Sequence, residues 1–223
     1  MLAARLATQR LTGPAASSAA QVVRELLCVQ AQDAPLAQAM IALRADTTVA
    51  AVQQALASGE IVRTHVLRPT WHYVAADDLQ WLLELTSAKV ESGMAARHRQ
   101  LELSPARISA VLDLVASALA GREFRTRTEL GQLLDQAGLL TPTDPQFGQQ
   151  VGHLLLLAEL RGLICSAPDA RPEHRYALLD EVIGRVPSLE RADAVLALVG
   201  RFVAGHGPVA LSDLQRWARV TLT

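Results

Sequence analysis

The sequence predicts a mainly α-helical protein with short β-hairpins. Half of the 223 residues are apolar but only 4% are aromatic, so the core must be built largely from Leu, Val and Ala. These residues recur at helical spacing over most of the chain, and short apolar strands lie between the helical stretches. The same order of elements recurs along the chain, which indicates tandem units.

The clearest unit is predicted in residues 101–186. A helix begins at Ser104, and a second begins at Thr126, which has Glu129 at the spacing of a capping box. The remaining predicted elements are a helix, a strand, a Pro-rich turn and a strand, over 147–161, 163–166, 168–172 and 176–178. Three helices followed by a hairpin is the order of the winged helix-turn-helix.

Residues 1–100 and 187–223 fit the same pattern. In the former, the predicted elements are two helices, a hairpin and a further helix, over 18–28, 47–58, 60–74 and from 77 onward. We expect Pro35 to end the helix that begins near Ser18. In the latter, a shift of 84 residues aligns the sequence with the start of 101–186. We therefore predict tandem winged helix-turn-helix units, the third incomplete.

An incomplete third unit has a consequence for the surface. Half a unit cannot bury its own apolar face, so the helices predicted between 189 and 217 should leave side chains uncovered, namely Val195, Leu198, Val199, Leu211 and Leu214. A large exposed apolar patch usually finds a partner surface. We therefore expect a C-terminally truncated protein that either self-associates through residues beyond about 189 or leaves that region poorly ordered.

Composition excludes several classes of protein. High apolar content and a net charge of -1 exclude a disordered chain, and no stretch has the length of a membrane span. No secretory signal is recognisable, so we expect a cytoplasmic, nucleoid-associated protein without a membrane partner. Cys28 and Cys165 lie in apolar surroundings and are expected to be buried and free, and no set of residues predicts a metal site.

One candidate site is the segment formed by Gln30, Ala31 and Gln32. In an extended segment the two glutamine side chains project to the same side. Two amides can position a water molecule and stabilise developing charge, although neither can act as an ordinary general base. The alternative is a pair of solvent-exposed or locally capping glutamines after a helix.

A second candidate lies in residues 63–72, which contain two Arg, two His and one Trp but no acid. Arg63 and Arg68 could contact phosphates, while a base or sugar could be contacted by His65, Trp71 and His72. A zinc pair formed by the two histidines is a weak alternative, because the segment offers no further ligand. The other alternative is a hairpin with Trp71 packed in the core.

A third, weaker candidate is the basic stretch around Arg97 and Arg99. It is typical of a solvated helix end, but it could also border a DNA channel. No phosphate-binding loop, dinucleotide-binding fingerprint or nucleophile elbow is present in the sequence.

Taken together, these segments resemble one protein family. The matching stretches are 9–11, 29–32, 64–72 and 78–79, and the combination of the two-glutamine motif with Arg-Pro-Thr-Trp-His is the most specific of them. The chain is similar over essentially its whole length to the AlkZ-like bacterial DNA glycosylases, a family of tandem winged-helix proteins. Members of that family usually continue beyond the point at which this chain ends.

The resemblance implies an activity and a partner. It implies monofunctional excision of N7-alkylated purines from double-stranded DNA, including crosslinked bases, without a cofactor. Gln30 and Gln32 match the catalytic motif of the family, and a related branch has Asp at the position of Gln32. The alternative is a non-catalytic winged-helix regulator, in which the helix over 147–161 would read the major groove; its Leu-rich body makes it a poor reader.

Overall fold

The computed structural model describes residues 1–168 and 173–218. It is mainly helical, as predicted, with two small antiparallel sheets. Three clusters of buried apolar side chains form the core. Part of the predicted turn at 168–172 lies outside the described residues, as does the end of the chain after 218.

The first sheet belongs to a unit that we call the first unit, residues 19–75. After a short N-terminal helix, α1, the unit runs helix, strand, helix, helix, strand, strand. The bounds are α1 Leu2–Thr8, α2 Ala19–Leu26, β1 Cys28–Gln30, α3 Ala34–Arg44, α4 Val49–Ala57, β2 Ile61–His65 and β3 Trp71–Ala75. The strand order is β1-β3-β2, and both pairs are antiparallel. The predicted hairpin over 60–74 is therefore confirmed.

Helix α3 was not expected. Pro35 does not end α2, which stops at Leu26; it lies in the first turn of α3 instead. Asp33 caps that helix by accepting a hydrogen bond from the Leu36 N–H at 3.0 Å. Pro is well tolerated in a first helical turn because its missing N–H would have no partner there. The same residue type can therefore close one helix or open the next.

Two helices, α5 Ala76–Gly93 and α6 Ala95–Gln100, lead to a second unit, residues 105–178. This unit repeats the order of the first. Its elements are α7 Pro105–Leu119, β4 Arg125–Thr126, α8 Arg127–Gln136, α9 Phe147–Leu160, β5 Ile164–Ser166 and β6 Arg175–Leu178. The strand order, β4-β6-β5, is equivalent to that of the first unit. The capping box of Thr126 and Glu129 is present as predicted.

The last helices are α10 Leu179–Ile183, α11 Arg191–His206 and α12 Leu211–Ala218. The expectation that α11 and α12 leave their apolar face uncovered is wrong for Leu198 and Leu214. Both are buried in one cluster with Leu27 and Leu79, since α11 packs against α2 and α5 of the N-terminal half and Leu214 of α12 joins the same cluster. Leu211 is exposed, as expected.

Two further sequence expectations concern burial and hydropathy. Cys28 and Cys165 are buried and free. Within the described residues, no single helix is long and apolar enough to span a membrane; α11 and α12 together reach that length and composition, but their axes are bent by 110°.

Candidate functional site

The two-glutamine segment begins in the sheet of the first unit. Gln30 is the last residue of β1 and pairs with His72 of β3. The side chains of Gln30 and Gln32 are exposed, whereas Ala31 between them is fully buried. The alternation expected of an extended segment is therefore present, with both glutamines on the exposed side.

The backbone of Ala31 is held from two directions. Its N–H donates to the carbonyl oxygen of Trp71 at 2.8 Å. Its own carbonyl oxygen accepts a hydrogen bond from Nε of Arg63 at 3.0 Å. Both backbone groups of the residue between the glutamines are therefore occupied by residues of the hairpin.

Gln30 lines a cavity of about 250 Å³. The hairpin contributes Arg68 and His72, and the C-terminal helices contribute His206 and Trp217. Of the two glutamines in this described region, only Gln30 is among the lining residues. The structure thus brings one residue of the first sequence candidate, Gln30, and two of the second, Arg68 and His72, into one cavity, together with aromatic side chains that the sequence had not connected to them.

His72 is buried and has partners on both ring nitrogens. Nδ1 lies 2.9 Å from the carbonyl oxygen of Thr70, and Nε2 lies 3.5 Å from a guanidinium nitrogen of Arg68. A carbonyl can only accept, so Nδ1 carries the proton and Nε2 faces Arg68 with its lone pair. Burial and, next, the Arg68 guanidinium lower the pKa of His72 from 6.5 to about 4. The imidazole is neutral at neutral pH.

Arg68 is a partly buried cation in this cavity. Its Nε is buried and has no hydrogen-bond partner among the described residues. Its contact with neutral His72 supplies no negative charge. The cavity therefore carries positive charge beside Gln30, which suits contact with a phosphate group.

His65 and Trp71 face away from this cavity to a carboxyl group of the second unit. Nδ1 of His65 lies 2.5 Å from one oxygen of Glu159, and Nε1 of Trp71 donates to the other oxygen at 3.1 Å. Glu159 is 0% exposed and His65 is 6% exposed. Trp71 is partly buried, which is intermediate between a side chain free to contact a base or sugar and one packed in the core.

Glu159 is the site residue that sequence reasoning missed. It lies in α9, 94 residues from His65, and its neighbours Ala158 and Leu160 are buried. The available signal was a single carboxylic acid inside a Leu-rich helix. A buried carboxyl group usually has hydrogen-bond donors, but the sequence does not tell which donors these are.

Arg63 packs on the ring of Trp71. Its guanidinium carbon lies 4.4 Å from the ring centroid, within the range of a cation–π contact. A second guanidinium nitrogen lies 3.4 Å from the hydroxyl of Ser166 in β5. Arg63 also lines a larger cleft of about 370 Å³ between the units, together with Gln38 and His174.

Comparison with known proteins now assigns the family. A model of the family "DNA glycosylase AlkZ-like" matches residues 23–223. The chain belongs to the AlkZ-like DNA glycosylase family. Among solved structures, the DNA glycosylase AlkZ of Streptomyces sahachiroi is similar, with a TM-score of 0.78 at 22% sequence identity. The match covers 96% of this chain and 62% of that one, so this chain spans about three-fifths of its length. No curated protein sequence matches the chain.

The remaining sequence candidates in this AlkZ-like chain lie on α6. Arg99 is exposed, and Arg97 hydrogen-bonds to Gln100 at 3.1 Å and to Gln149 of α9. The residues that line the Gln30 cavity include neither of them. A DNA contact by these two arginines stays a prediction.

The possibility of a zinc pair is weakened by the partners of the two histidines. Nδ1 of His65 faces Glu159, and Nδ1 of His72 faces a backbone carbonyl. Over residues 1–168 and 173–218, no group of three or more His, Cys, Asp or Glu side chains is arranged to hold a metal ion.

Proposed function

We propose that this chain excises N7-alkylated purines from double-stranded DNA, including those in interstrand crosslinks, by hydrolysing the N-glycosidic bond. Gln30 and Gln32 hold the attacking water below C1′ and stabilise the transition state through their amide oxygens. The observation that carries the proposal is the position of Gln30 at the end of β1, exposed in a cavity with Arg68 and His72.

The chemistry agrees with the protonation states around Gln30. An N7-alkylated purine is already cationic, so the C1′–N9 bond can break without protonation of the base, and its electron pair neutralises the departing purine. Water then adds to C1′ and releases a proton to solvent. With a pKa of about 4, His72 supplies no imidazolium acid at neutral pH. An undamaged purine, which needs such an acid, would be a poor substrate.

Trp217 is suited to recognise the positive charge of the damaged base. It lines the cavity and packs with Phe202 and His206, with ring centroids 5.0 and 5.3 Å away. The face of an indole attracts a cation, and any purine can stack on an aromatic side chain because every base has a π-face. We propose that the alkylated base stacks on Trp217 while Arg68 contacts a neighbouring phosphate.

The equivalent strand orders of the two units support a tandem winged-helix interpretation. The binding of double-stranded DNA by Arg68, Arg97 and Arg99 is part of the proposal. His65 faces the buried Glu159, so a direct contact with DNA would require this site to open, and we give His65 and Trp71 a structural part instead.

A non-catalytic regulator is the second candidate, and one observation disfavours it. The helix that would read the major groove is α9, yet eight of its residues, including Gln150 and Glu159, are buried. A recognition helix must present its polar side chains to base edges. The exposed polar side chain left on α9 to read bases is that of Gln149, beside the partly buried His153, which is little for a recognition helix.

Release of N7-methylguanine from duplex DNA tests the function. The unsubstituted chain should release this base and leave guanine in a matched undamaged duplex. Gln32→Ala should lower the rate of release by roughly 10- to 1,000-fold, the scale of one preorganised polar group, with DNA affinity nearly unchanged. Weaker binding with unchanged turnover would make Gln32 a DNA contact, and absence of release by the unsubstituted chain would contradict the proposal.

A further inference from the structure

The backbone between the two glutamines is unusually well fixed for a segment that leaves a strand. Ala31 donates to Trp71 and accepts from Arg63, so its peptide groups cannot rotate without losing a hydrogen bond. Successive side chains of an extended segment alternate in direction. Holding Ala31 inward therefore holds Gln30 and Gln32 outward together.

Of the two residues that hold Ala31, Trp71 is bonded through its indole N–H to the carboxyl group of Glu159, and Arg63 is linked to that group only through the Trp71 ring. Arg63 packs on the face of Trp71, and the indole N–H of Trp71 donates to Glu159. His65, which pairs with Trp71 across the hairpin, donates to the other oxygen of Glu159. A line of contacts thus runs from α9 of the second unit to the peptide group between the glutamines.

We propose that Glu159, acting through Trp71 and Arg63, is a positioning residue for Gln30 and Gln32. Its part in catalysis rests on the function proposed above. Arg63 is then primarily a support for Ala31 rather than the phosphate contact that the sequence suggested. The second unit takes part in the reaction through this one buried carboxyl group.

The free-energy cost of burying Glu159 is consistent with a positioning role for this carboxyl group. A fully buried carboxyl group is costly unless donors satisfy its oxygens, and here each oxygen receives one. A water held by two amides must lie within a fraction of an ångström of its reactive position. A misplacement of about 1 Å can cost about 100-fold in rate. A rigid link to a packed helix provides that precision.

Arg63→Lys separates support from phosphate binding. Lysine keeps the charge, and a phosphate contact would largely survive, but it loses the planar fork that both stacks on Trp71 and donates sideways to Ala31. We expect turnover to fall roughly 10- to 100-fold, while DNA affinity and its salt dependence stay the same. Arg191→Lys, at an exposed arginine in the first turn of α11, is the matched control and should change neither.

The salt dependence of DNA affinity shows whether Arg63 contacts a phosphate instead of supporting Ala31. If Arg63 contacted a phosphate, Arg63→Ala would weaken binding and lower the slope of log affinity against log salt by about one. Normal turnover in Arg63→Lys, or that change of slope in Arg63→Ala, would overturn the proposal.

Glu159→Gln tests the link through Trp71 without any need for activity. Glutamine replaces one of the two accepting oxygens with an NH2 group, which donates and cannot accept from a donor that faces it. The Ala31 amide should exchange with deuterium roughly fivefold to tenfold faster in Glu159→Gln and in Arg63→Lys. The double variant should be little worse in turnover than either single variant, because both act through one line of contacts. Unchanged exchange at Ala31 in Arg63→Lys contradicts the proposal even if Glu159→Gln fails to fold.

The result also distinguishes this inference from the proposed function. If Gln32→Ala removes base release while Arg63→Lys retains it, the glutamines are catalytic but the positioning proposal is wrong. If Arg63→Lys loosens Ala31 while Gln32→Ala keeps full base release, the structural link stands and the proposed role of the glutamines fails.

Discussion

The two units follow one order of elements and one strand order, but they differ at the junction between the first strand and the second helix. In the first unit Ala31 and Gln32 separate the end of β1 from Asp33, which caps α3. In the second unit Thr126 is both the last residue of β4 and the cap of α8. The cap therefore lies three residues beyond the end of the strand in the first unit and on the last strand residue in the second, and the longer junction carries the exposed glutamines.

The surroundings of the two junctions differ as well. Helices α11 and α12 bury Leu198 and Leu214 in the cluster that contains Leu27 and bring Trp217 and His206 into the cavity beside Gln30. At the second junction, Arg125 donates to the Ala118 carbonyl oxygen and Glu129 receives the Thr126 N–H. One junction is open to a cavity, and the other is closed by its own hydrogen bonds.

Replacement of Trp217, the aromatic side chain that α12 contributes to the cavity beside Gln30, should have the largest effect on base release. Trp217→Ala should lower kcat/KM for release of N7-methylguanine by roughly 10- to 100-fold, because stacking of a base on an aromatic side chain contributes about 1–3 kcal/mol. Trp217→Phe should restore most of the rate, since it keeps an aromatic face. Thermal unfolding of each variant separates this effect from loss of folding. Equal rates in the original chain and Trp217→Ala would exclude a wall that binds the base.

Substitution of the two helix-capping residues, Asp33 and Thr126, tests directly whether the two junctions differ in function. Asp33→Ala and Thr126→Ala each remove a side chain that caps a helix after the first strand of its unit, and each should cost about 0.5–2 kcal/mol in the free energy of unfolding. Only Asp33→Ala should also slow base release, because Asp33 follows Gln32 and fixes the end of the glutamine segment. Denaturant titration and base release measured on both variants check this. Equal loss of release would show that the junctions are not functionally different.

Local signals explain what the sequence could predict. Ser104 and Thr126 with Glu129 mark helix starts that the structure has at those positions, and the hairpin follows from its strands and turn. Helix α3 was missed because Pro35 is compatible with the end of one helix and with the first turn of another. The side chain of Asp33, which caps α3, decides in favour of the start of a helix.

Long-range contacts explain what the sequence could not predict. The glutamine pair and the basic, aromatic hairpin are contiguous motifs, so they were visible without a fold. Glu159 and Trp217 reach the same region from α9 and α12, and nothing local indicates their partners. The burial of Leu198 and Leu214 also depends on a distant surface, and a pattern of apolar residues does not identify the element that covers it.

The pH dependence of stability should reflect three histidines whose pKa is lowered to about 4, chiefly by burial: His72 in the first unit, and His153 and His174 in the second. Burial lowers the pKa of His72, aided by Arg68, and burial also lowers that of His153, aided by His98 and Arg97; both fall from 6.5 to about 4. Below pH 6.5 the unfolded chain binds protons that the folded chain does not, so the free energy of unfolding should fall between pH 6.5 and 4. Each group contributes at most about 1.4 kcal/mol per pH unit.

Single substitutions separate the contributions of His72 and His153. His72→Gln and His153→Gln should each flatten the dependence of unfolding free energy on pH in that window, and by similar amounts, because the two pKa values are lowered alike. Denaturant titrations at several pH values provide the measurement. A pH dependence that is unchanged in both variants would show that other groups cause the loss of stability in acid.

The smallest effect concerns self-association, which we propose to be weak because most of the C-terminal apolar face is covered. Leu196 and Leu211 remain 70% and 62% exposed on α11 and α12, and Leu43 on α3 is equally exposed at 70%. Leu196→Ser and Leu211→Ser should each weaken association by no more than about tenfold, since partial burial of one Leu contributes about 1 kcal/mol. Leu43→Ser is the matched control in the first unit. Light scattering over a range of concentrations measures all three. If Leu43→Ser alone reduces association, the interface is α3, and the C-terminal helices serve only the cavity at Gln30.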